Sequence, residues 1–230
     1  MSGASVNAAV ASSRAPRHDG QAAAVLVGFM ATGKSAVGRA AAARLGLPFV
    51  DTDLAIEAAH GPIPAIFARG GERLFRELER DVVLDVLSAP GSSGRPLVAL
   101  GGGAVTIAAV RTALAGAPVV IWLQAPTDVL WERARRAPQG TRPLAEDEAA
   151  FGALLAEREA LYREVAGAAV LNDGSRALDE VVEEVIVAIR RATAALGTAA
   201  SGIADGSVPR GTAAGTAGPR QAGAAPGRRP

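Results

Sequence analysis

Short apolar runs alternate with longer amphipathic stretches through the middle of this chain. Runs of this length, bounded by glycine, proline or carboxylates, predict buried strands, whereas the longer stretches have the periodicity of helices. The predicted strands are 23–29, 47–53, 96–105, 118–126 and 168–173. The predicted helices are 34–46, 54–90 in several pieces, 106–116, 127–136, 146–166 and 177–196. Apolar strands separated by helices predict an α/β fold, with a parallel sheet that carries helices on both faces.

Both ends of the chain depart from this pattern. Residues 1–22 and 196–230 are rich in Ala, Gly, Pro and Ser and contain few large apolar side chains. Such segments bury too little surface to offset the entropy of ordering, so we expect disordered tails around one domain at 23–195. The tails hold six arginines and two aspartates although the whole chain has a net charge of only +1, so the domain itself is slightly acidic. An acidic domain argues against a nucleic-acid-binding protein.

Cysteine is absent, which excludes disulfides and thiolate metal sites. No apolar run approaches the roughly 18 residues that a membrane span needs, and the N-terminus lacks the apolar core of a secretory signal. We therefore expect a cytoplasmic protein without membrane partners, and the acidic domain speaks against nucleic-acid partners. We also expect a monomer, although none of these observations bears on oligomeric state.

The segment GFMATGKS at 28–35 holds Lys34, the only lysine of the chain. It fits the pattern G-x-x-x-x-G-K-[ST] and lies between a predicted strand and a predicted helix, which is the context of a phosphate-binding P-loop. Gly28 and Gly33 permit backbone geometry that a Cβ would obstruct, so that N–H groups can face phosphate oxygens. Lys34 supplies a charge for the terminal phosphates and Ser35 a hydroxyl ligand for Mg²⁺. This segment predicts binding of a nucleoside triphosphate.

Two carboxylates, Asp51 and Asp53, end the second predicted strand. If the strand stays extended they lie on one side of it, at the edge of the sheet where the P-loop also lies. One would then hold Mg²⁺ and the other would orient or deprotonate a substrate hydroxyl. The alternative is that they are solvated turn residues or the N-cap of the next helix.

Several arginines and a glycine triplet follow. Most charges of 66–81 are typical of a salt-bridged helix surface, but Arg76 lies beside Phe75 and is a candidate for a buried role. The glycines at 101–103 would let a ligand approach the backbone closely. Segment 134–148, with Arg142 before a proline, is either a mobile lid or simply a flexible basic loop. Arg158 faces either solvent or the crevice.

Taken in order, these motifs resemble shikimate kinases, a family of the nucleoside-monophosphate-kinase-like P-loop group. The resemblance covers about 23–192 and is carried by GFMATGKS, DTD, IFARGGERLFRELE, LGGGAV, RPL and EREALYREVA. It implies a three-layer P-loop kinase fold, with a five-stranded parallel sheet in the order 2-3-1-4-5 and a mobile lid at about 134–148. It also implies transfer of phosphate from ATP to the 3-hydroxyl of shikimate, in chorismate and aromatic amino acid biosynthesis.

The resemblance assigns a role to each motif residue. Catalytic roles fall to Lys34, Asp53 and Arg142. ATP would be bound by Ala31, Thr32, Gly33, Lys34, Ser35, Ala36, Arg142 and Arg176, with Arg135 a second candidate beside adenine. Shikimate would be bound by Asp53, Arg76, Gly101, Gly102, Gly103 and Arg158, and Mg²⁺ by Ser35 and Asp51.

Two features depart from the family pattern. Ala31 and Thr32 stand where glycine and serine are more usual, and the segment around Arg176 lacks the proline often found in the adenine loop. Two other interpretations remain open at the level of sequence. One is a kinase for another small acceptor, such as gluconate or a nucleoside monophosphate. The other is a nucleotide-binding module without catalytic activity.

Overall fold

Five strands form one parallel sheet in the order β2-β3-β1-β4-β5, as the sequence predicts. The computed structural model describes residues 24–88, 95–136 and 147–204, and side chains of the last range as far as 195. The strands are β1 Ala24–Val27, β2 Phe49–Asp51, β3 Leu97–Ala99, β4 Val120–Gln124 and β5 Ala168–Leu171. All five carboxyl ends therefore lie along one edge of the sheet.

Seven described α-helices surround the sheet, and a 3-10 turn at Ala104–Thr106 follows the glycine triplet. They are α1 Lys34–Leu45, α2 Thr52–His60, α3 Ile63–Ser88, α4 Ala108–Leu114, α5 Thr127–Arg135, α6 Glu148–Val165 and α7 Leu178–Ala204. Gly71, with φ 65 and ψ −164, interrupts α3, so its two halves run in different directions. Helix α7 continues past position 195, where the sequence predicts the domain to end. The predicted tail residues 1–22 and 205–230 and most of the lid lie outside the described residues.

Strand β1 shows how the sheet separates two layers of core. Val25 and Val27 pack on the face covered by α3, α4, α5 and α6, while Ala24 and Leu26 pack against α1 and α7. Each β1 side chain is almost completely buried. Because successive side chains of a strand point to opposite faces, an unbroken apolar strand requires helices on both sides. The result is the three-layer arrangement that the sequence predicts.

A smaller apolar cluster lies outside the two main layers. It joins Ile56 of α2 with Ile66 and Phe75 of α3. Strand β2 ends at Asp51, and Asp51 is the N-cap of α2, accepting hydrogen bonds from the backbone N–H of Asp53 and of Leu54. The prediction that the strand stays extended through Asp53 is therefore wrong, because capping turns the chain into a helix two residues earlier.

No described helix is both long enough and apolar enough to cross a bilayer. Helix α7 is the longest, yet its buried residues occupy one stripe that faces α1 and the sheet. The buried apolar side chains of its described part therefore pack within the domain, whereas Leu178 at its start is exposed.

The packing of α1 predicts opposite effects of alanine at two helical glycines. A Cβ on Gly38 would lie 2.6 Å from Phe49 Cε2 and 3.0 Å from Leu26 Cδ1, whereas one on Gly152 in α6 meets only Thr127 Cγ2 at 3.8 Å. We expect Gly38→Ala to lower the free energy of unfolding by about 1–3 kcal/mol through overpacking. We expect Gly152→Ala to raise it by about 0.5–1 kcal/mol through helix propensity. Urea denaturation measures the free energy of unfolding of both variants. Equal changes in the two variants would contradict the close approach of α1 to β1 and β2.

Candidate active site

The phosphate loop joins β1 to α1 and depends on glycine at both ends. Gly28 has φ 147 and Gly33 has φ 90, values that side chains disfavour. A Cβ on Gly28 would also collide with the carbonyl oxygen of Leu123. Gly33 is the N-cap of α1 and has no side-chain cap, so the first N–H groups of the helix remain available to an anion.

Hydrogen bonds hold the loop from inside. The Lys34 ammonium folds back and donates to the carbonyl oxygens of Gly28 at 2.8 Å and Phe29 at 2.9 Å. The buried Thr32 hydroxyl donates to the carbonyl of Phe29 at 2.9 Å. The Asn172 amide, which follows β5, donates to the carbonyl of Thr32 at 2.8 Å. These four hydrogen bonds together fix the shape of the loop.

Ala31 is the one described non-glycine residue with a positive φ, at 63°. This position is one of the two at which the sequence departs from the usual glycine and serine. A left-handed conformation costs a residue with a Cβ roughly 1–2 kcal/mol. The loop therefore keeps the backbone shape that glycine would favour, at a cost in stability.

Asp51 and Ser35 meet at the entrance of α1. The Ser35 hydroxyl donates to Asp51 Oδ2 at 2.5 Å, while Asp51 Oδ1 caps α2. A hydroxyl and a carboxylate beside a phosphate loop are the hard oxygen ligands that Mg²⁺ takes together with phosphates and waters, so these residues fit that ion. Across the described ranges no group of three or more His, Cys, Asp or Glu side chains could hold a metal alone. The pair therefore suits a cation that arrives with a nucleotide.

The second half of α3 presents Arg76 and Glu79 to the crevice. Arg76 Nη1 donates to Glu79 Oε2 at 2.5 Å, and Nη2 donates to Glu72 Oε1 at 3.1 Å. Burial lowers the pKa of the Arg76 guanidinium, but the charges and hydrogen bonds of Glu79 and Glu72 outweigh this effect and raise it. Arg76 is therefore a fixed, fully charged group, in line with the buried role expected from its position beside Phe75.

Glu79 is a site residue that the sequence analysis assigned to the helix surface. Its side chain is completely buried, and Oε1 has no hydrogen-bond partner among the described residues. A second acid, Asp53, lies close to Glu79 on the other side of Gly101. A Cβ built on Gly101 would be 2.5 Å from both Glu79 Oε1 and Asp53 Oδ1. Burial raises the pKa of Glu79, and the negative charge of Asp53 adds to the rise, against the opposing charge of Arg76. In the sequence, the only indication of this role for Glu79 is its position three residues after Arg76, on the same face of the helix.

Helix α6 places Arg158 and Tyr162 against the glycine triplet. The Tyr162 hydroxyl donates to the Gly102 carbonyl at 2.5 Å, and Arg158 Nη1 reaches the same oxygen at 3.4 Å. Arg158 is only 4% exposed and its Nε is without a partner among the described residues. Burial, with a contribution from the charge of Arg76, lowers the pKa of Arg158. The alternative that Arg158 faces solvent is thus excluded.

One cavity of about 420 Å³ connects these groups. The phosphate loop lines one part of it, and the two guanidiniums line another. The predicted residues along its wall are Ala31, Gly33, Lys34, Ser35, Ala36, Asp51, Asp53, Arg76, Gly102, Gly103 and Arg158. The glycine triplet makes room for this arrangement, since a Cβ on Gly103 would overlap the Arg76 guanidinium. A triphosphate and a small acid would therefore share a single pocket.

Other predicted residues are not brought into the cavity. Arg176 lies apart from it, bonded to Glu184 at 2.7 Å and to the carbonyl of Leu171. Arg135 is exposed beside Trp131 and Glu132. Thr32 and Gly101 do not line this cavity: Thr32 lines another cavity, and the Gly101 N–H donates to the Thr52 hydroxyl. Arg142 is outside the described residues. Arg133 of α5, which the sequence analysis missed, lines the cavity instead.

The family profile described as shikimate kinase matches residues 30–190 of the chain. The chain belongs to the shikimate kinase family. A curated shikimate kinase of Ruegeria pomeroyi is 43% identical over 74% of this chain and 89% of its own length. Another, from Bradyrhizobium diazoefficiens, is 44% identical over 72% of this chain and 78% of its own length.

A solved structure supports the same family from its coordinates. The shikimate kinase of Acinetobacter baumannii in complex with shikimate superposes with a TM-score of 0.67 at 34% identity. The match covers 73% of this chain and 92% of that protein. The predicted fold of a P-loop kinase is confirmed by this similarity and by the sheet order.

The buried carboxyl of Glu79 predicts a pH dependence of stability in this shikimate kinase family member. A folded-state pKa above the ordinary 4.5 means that the folded protein binds more protons, so stability is lost as pH rises from about that value. Glu79→Gln removes this titration. We therefore expect the stability of the wild type relative to Glu79→Gln to fall with rising pH in urea denaturation series. Glu77 is half-exposed on the same helix, so Glu77→Gln is the control variant. If wild-type stability relative to Glu77→Gln changed with pH to the same extent, the raised pKa of Glu79 would be contradicted.

Proposed function

We propose that this chain transfers the γ-phosphoryl group of ATP to the 3-hydroxyl of shikimate, giving shikimate 3-phosphate and ADP. The observation that carries the proposal is the shared cavity, in which Lys34 lies on the phosphate side and Arg76 and Arg158 on the acceptor side. Membership of the family supports the same reaction. The reaction is a step in chorismate and aromatic amino acid biosynthesis.

On the nucleotide side, the chain supplies N–H groups and one ammonium. Bound phosphate would draw Lys34 away from the carbonyls of Gly28 and Phe29, since a phosphate oxygen carries more negative charge than a carbonyl. The N–H groups of the first turn of α1 would complete the contact. We assign Mg²⁺ to Ser35 and Asp51, where it would neutralise charge on the β- and γ-phosphates.

On the acceptor side, the buried side chain of Arg158 favours the binding of an anion. Arg158 forms no ion pair with a carboxylate of the described residues, although it is almost fully buried. A buried guanidinium without an anion is costly, and a substrate carboxylate removes that cost through charge-assisted hydrogen bonds. Arg76 is held close by its ion pairs to provide the second anchor. Shikimate is a small cyclic acid with hydroxyls, which matches this combination.

Asp53 is the group assigned to the acceptor hydroxyls. It is the second residue of α2 and lines the cavity, with Glu79 across Gly101. Two carboxylates this close can accept hydrogen bonds from the hydroxyls of the acceptor. Asp53 would orient the attacking oxygen and accept its proton. Phosphoryl transfer needs little else from the protein than positioning and neutralised charge.

Arg142 is assigned to the γ-phosphate, on a lid that closes over it, and Arg176 is kept only as a candidate adenine contact. We further expect a cytoplasmic monomer.

The decisive experiment is ADP release by the full chain, coupled to NADH oxidation, with ATP and Mg²⁺. Shikimate, gluconate and nucleoside monophosphates are offered separately at matched concentrations. We expect turnover with shikimate and at least about a hundredfold lower kcat/KM with the others, the discrimination that unpaired buried polar groups impose. Turnover with gluconate but not with shikimate would show that shikimate is not the acceptor. Tight nucleotide binding with no turnover on any acceptor would identify a module that lacks catalysis.

Asp53→Asn tests the role of the aspartate. The amide keeps the shape of the side chain but cannot accept a proton in the transition state, so we expect kcat to fall by about a hundredfold or more. The affinity for ATP, measured by calorimetry, should stay within about twofold because the change is on the acceptor side. Substantial retained turnover would remove Asp53 from the chemistry.

Arg158→Met tests the acceptor anchor. The loss of a charge-assisted hydrogen bond to a carboxylate corresponds to roughly 1.5–3 kcal/mol, so we expect the KM for shikimate to rise by about tenfold or more. The KM for ATP should change little. Arg163→Met, on an exposed position of the same helix, is the matched control. Equal KM values for shikimate in the two variants would show that Arg158 does not hold the substrate.

A further inference from the structure

Asn172 connects three parts of the molecule at the end of the sheet. Its backbone N–H donates to the carbonyl of Gln124 at 2.7 Å, which continues the pairing of β5 with β4. Its own carbonyl accepts from Arg133 Nη1 at 2.7 Å. Its side-chain amide donates to the carbonyl of Thr32 at 2.8 Å. Only the nitrogen of the amide can face a carbonyl oxygen, which defines the orientation of the side chain.

The hydrogen bond to Thr32 acts on the peptide unit between Thr32 and Gly33. A trans peptide is planar, so its C=O and N–H point in opposite directions. When Asn172 holds the carbonyl on one side, the N–H of Gly33 is directed to the other. Gly33 lines the cavity beside Lys34 and Ser35. This N–H is therefore aimed at the place that phosphate oxygens would occupy.

Gly33 and Asn172 fit each other sterically. A Cβ on Gly33 would lie 2.7 Å from Asn172 Nδ2, so the glycine makes room for the amide as well as permitting φ 90. The other face of the loop is held separately, by the Thr32 hydroxyl on the carbonyl of Phe29. Asn172 is therefore the side chain that supports the loop from the direction of β5.

We propose that Asn172 is a positioning residue that presets the phosphate loop by orienting the Gly33 N–H toward the triphosphate. The inference rests on the proposed function, because it takes the loop to bind ATP. Asn172 contacts the loop through its side chain and Arg133 through its backbone. Substitution of the side chain therefore alters the support of the loop while the backbone carbonyl that receives Arg133 is kept.

The test compares nucleotide with inorganic tripolyphosphate, which has the phosphates but no adenine. Asn172→Ala removes one hydrogen bond to the loop, and we expect Kd for ATP and for tripolyphosphate, each with Mg²⁺, to rise by about five- to tenfold. Asn172→Asp should bind both more weakly still, because its carboxylate faces a carbonyl and repels phosphate. The KM for shikimate should stay within about twofold in both variants.

Ser175→Ala is the matched control, since Ser175 lies in the same loop but bonds only Asp173 among the described residues. Its binding of ATP and tripolyphosphate should equal that of the wild type. Asn172→Asp has the same shape as the native residue and serves if Asn172→Ala does not fold.

Three results would overturn the proposal. Unchanged affinities would show that the hydrogen bond has no effect, and weakening confined to ATP would place the effect on the adenine side. An equal rise in the KM for shikimate would indicate a general structural role. A wild type that binds no nucleotide would instead refute the proposed function itself.

Discussion

Parallel pairing of all five strands is the constraint on which the rest of this structure depends. In a parallel sheet every strand delivers its carboxyl end to one edge, and the polar residues that follow the strands meet there. The phosphate loop follows β1, Asp51 ends β2, the glycine triplet follows β3 and Asn172 follows β5. The phosphate loop, Asp51 and the glycines 102–103 therefore line one cavity, Asn172 supports the loop, and helices α3 and α6 add Arg76 and Arg158 to the wall.

The acceptor side is organised by charges that cannot be buried singly. Glu79 is completely buried and paired with Arg76, while Arg158 is almost as deeply buried and contacts a carbonyl oxygen. Pairing lowers the cost of burying Glu79, and the remaining positive charge of Arg158 favours an anionic ligand. The stability of the folded protein and the proposed preference for a carboxylate substrate thus have a common electrostatic origin.

The nucleotide side is organised by backbone conformation. Positive φ at Gly28, Ala31 and Gly33 curves the loop, and supporting hydrogen bonds from Thr32 and Asn172 keep it in that shape. The strain at Ala31 is tolerated because the surrounding contacts fix the loop on all sides. Such a loop loses little entropy when phosphate binds, which favours tight binding of a triphosphate.

The order of strands and helices, the P-loop and the motif set of the family could be predicted from the amino-acid sequence, because these depend on local periodicity and on short fixed spacings. It also indicated Arg76 and left Arg158 open. The packed fold was needed to show that Asp51 caps α2, that Glu79 is buried, that Arg133 rather than Arg176 or Arg135 lines the cavity, and that Asn172 supports the loop. Burial and hydrogen bonding between residues as distant as 32 and 172 depend on how the helices pack on the sheet, and a local pattern of residues carries no record of that packing.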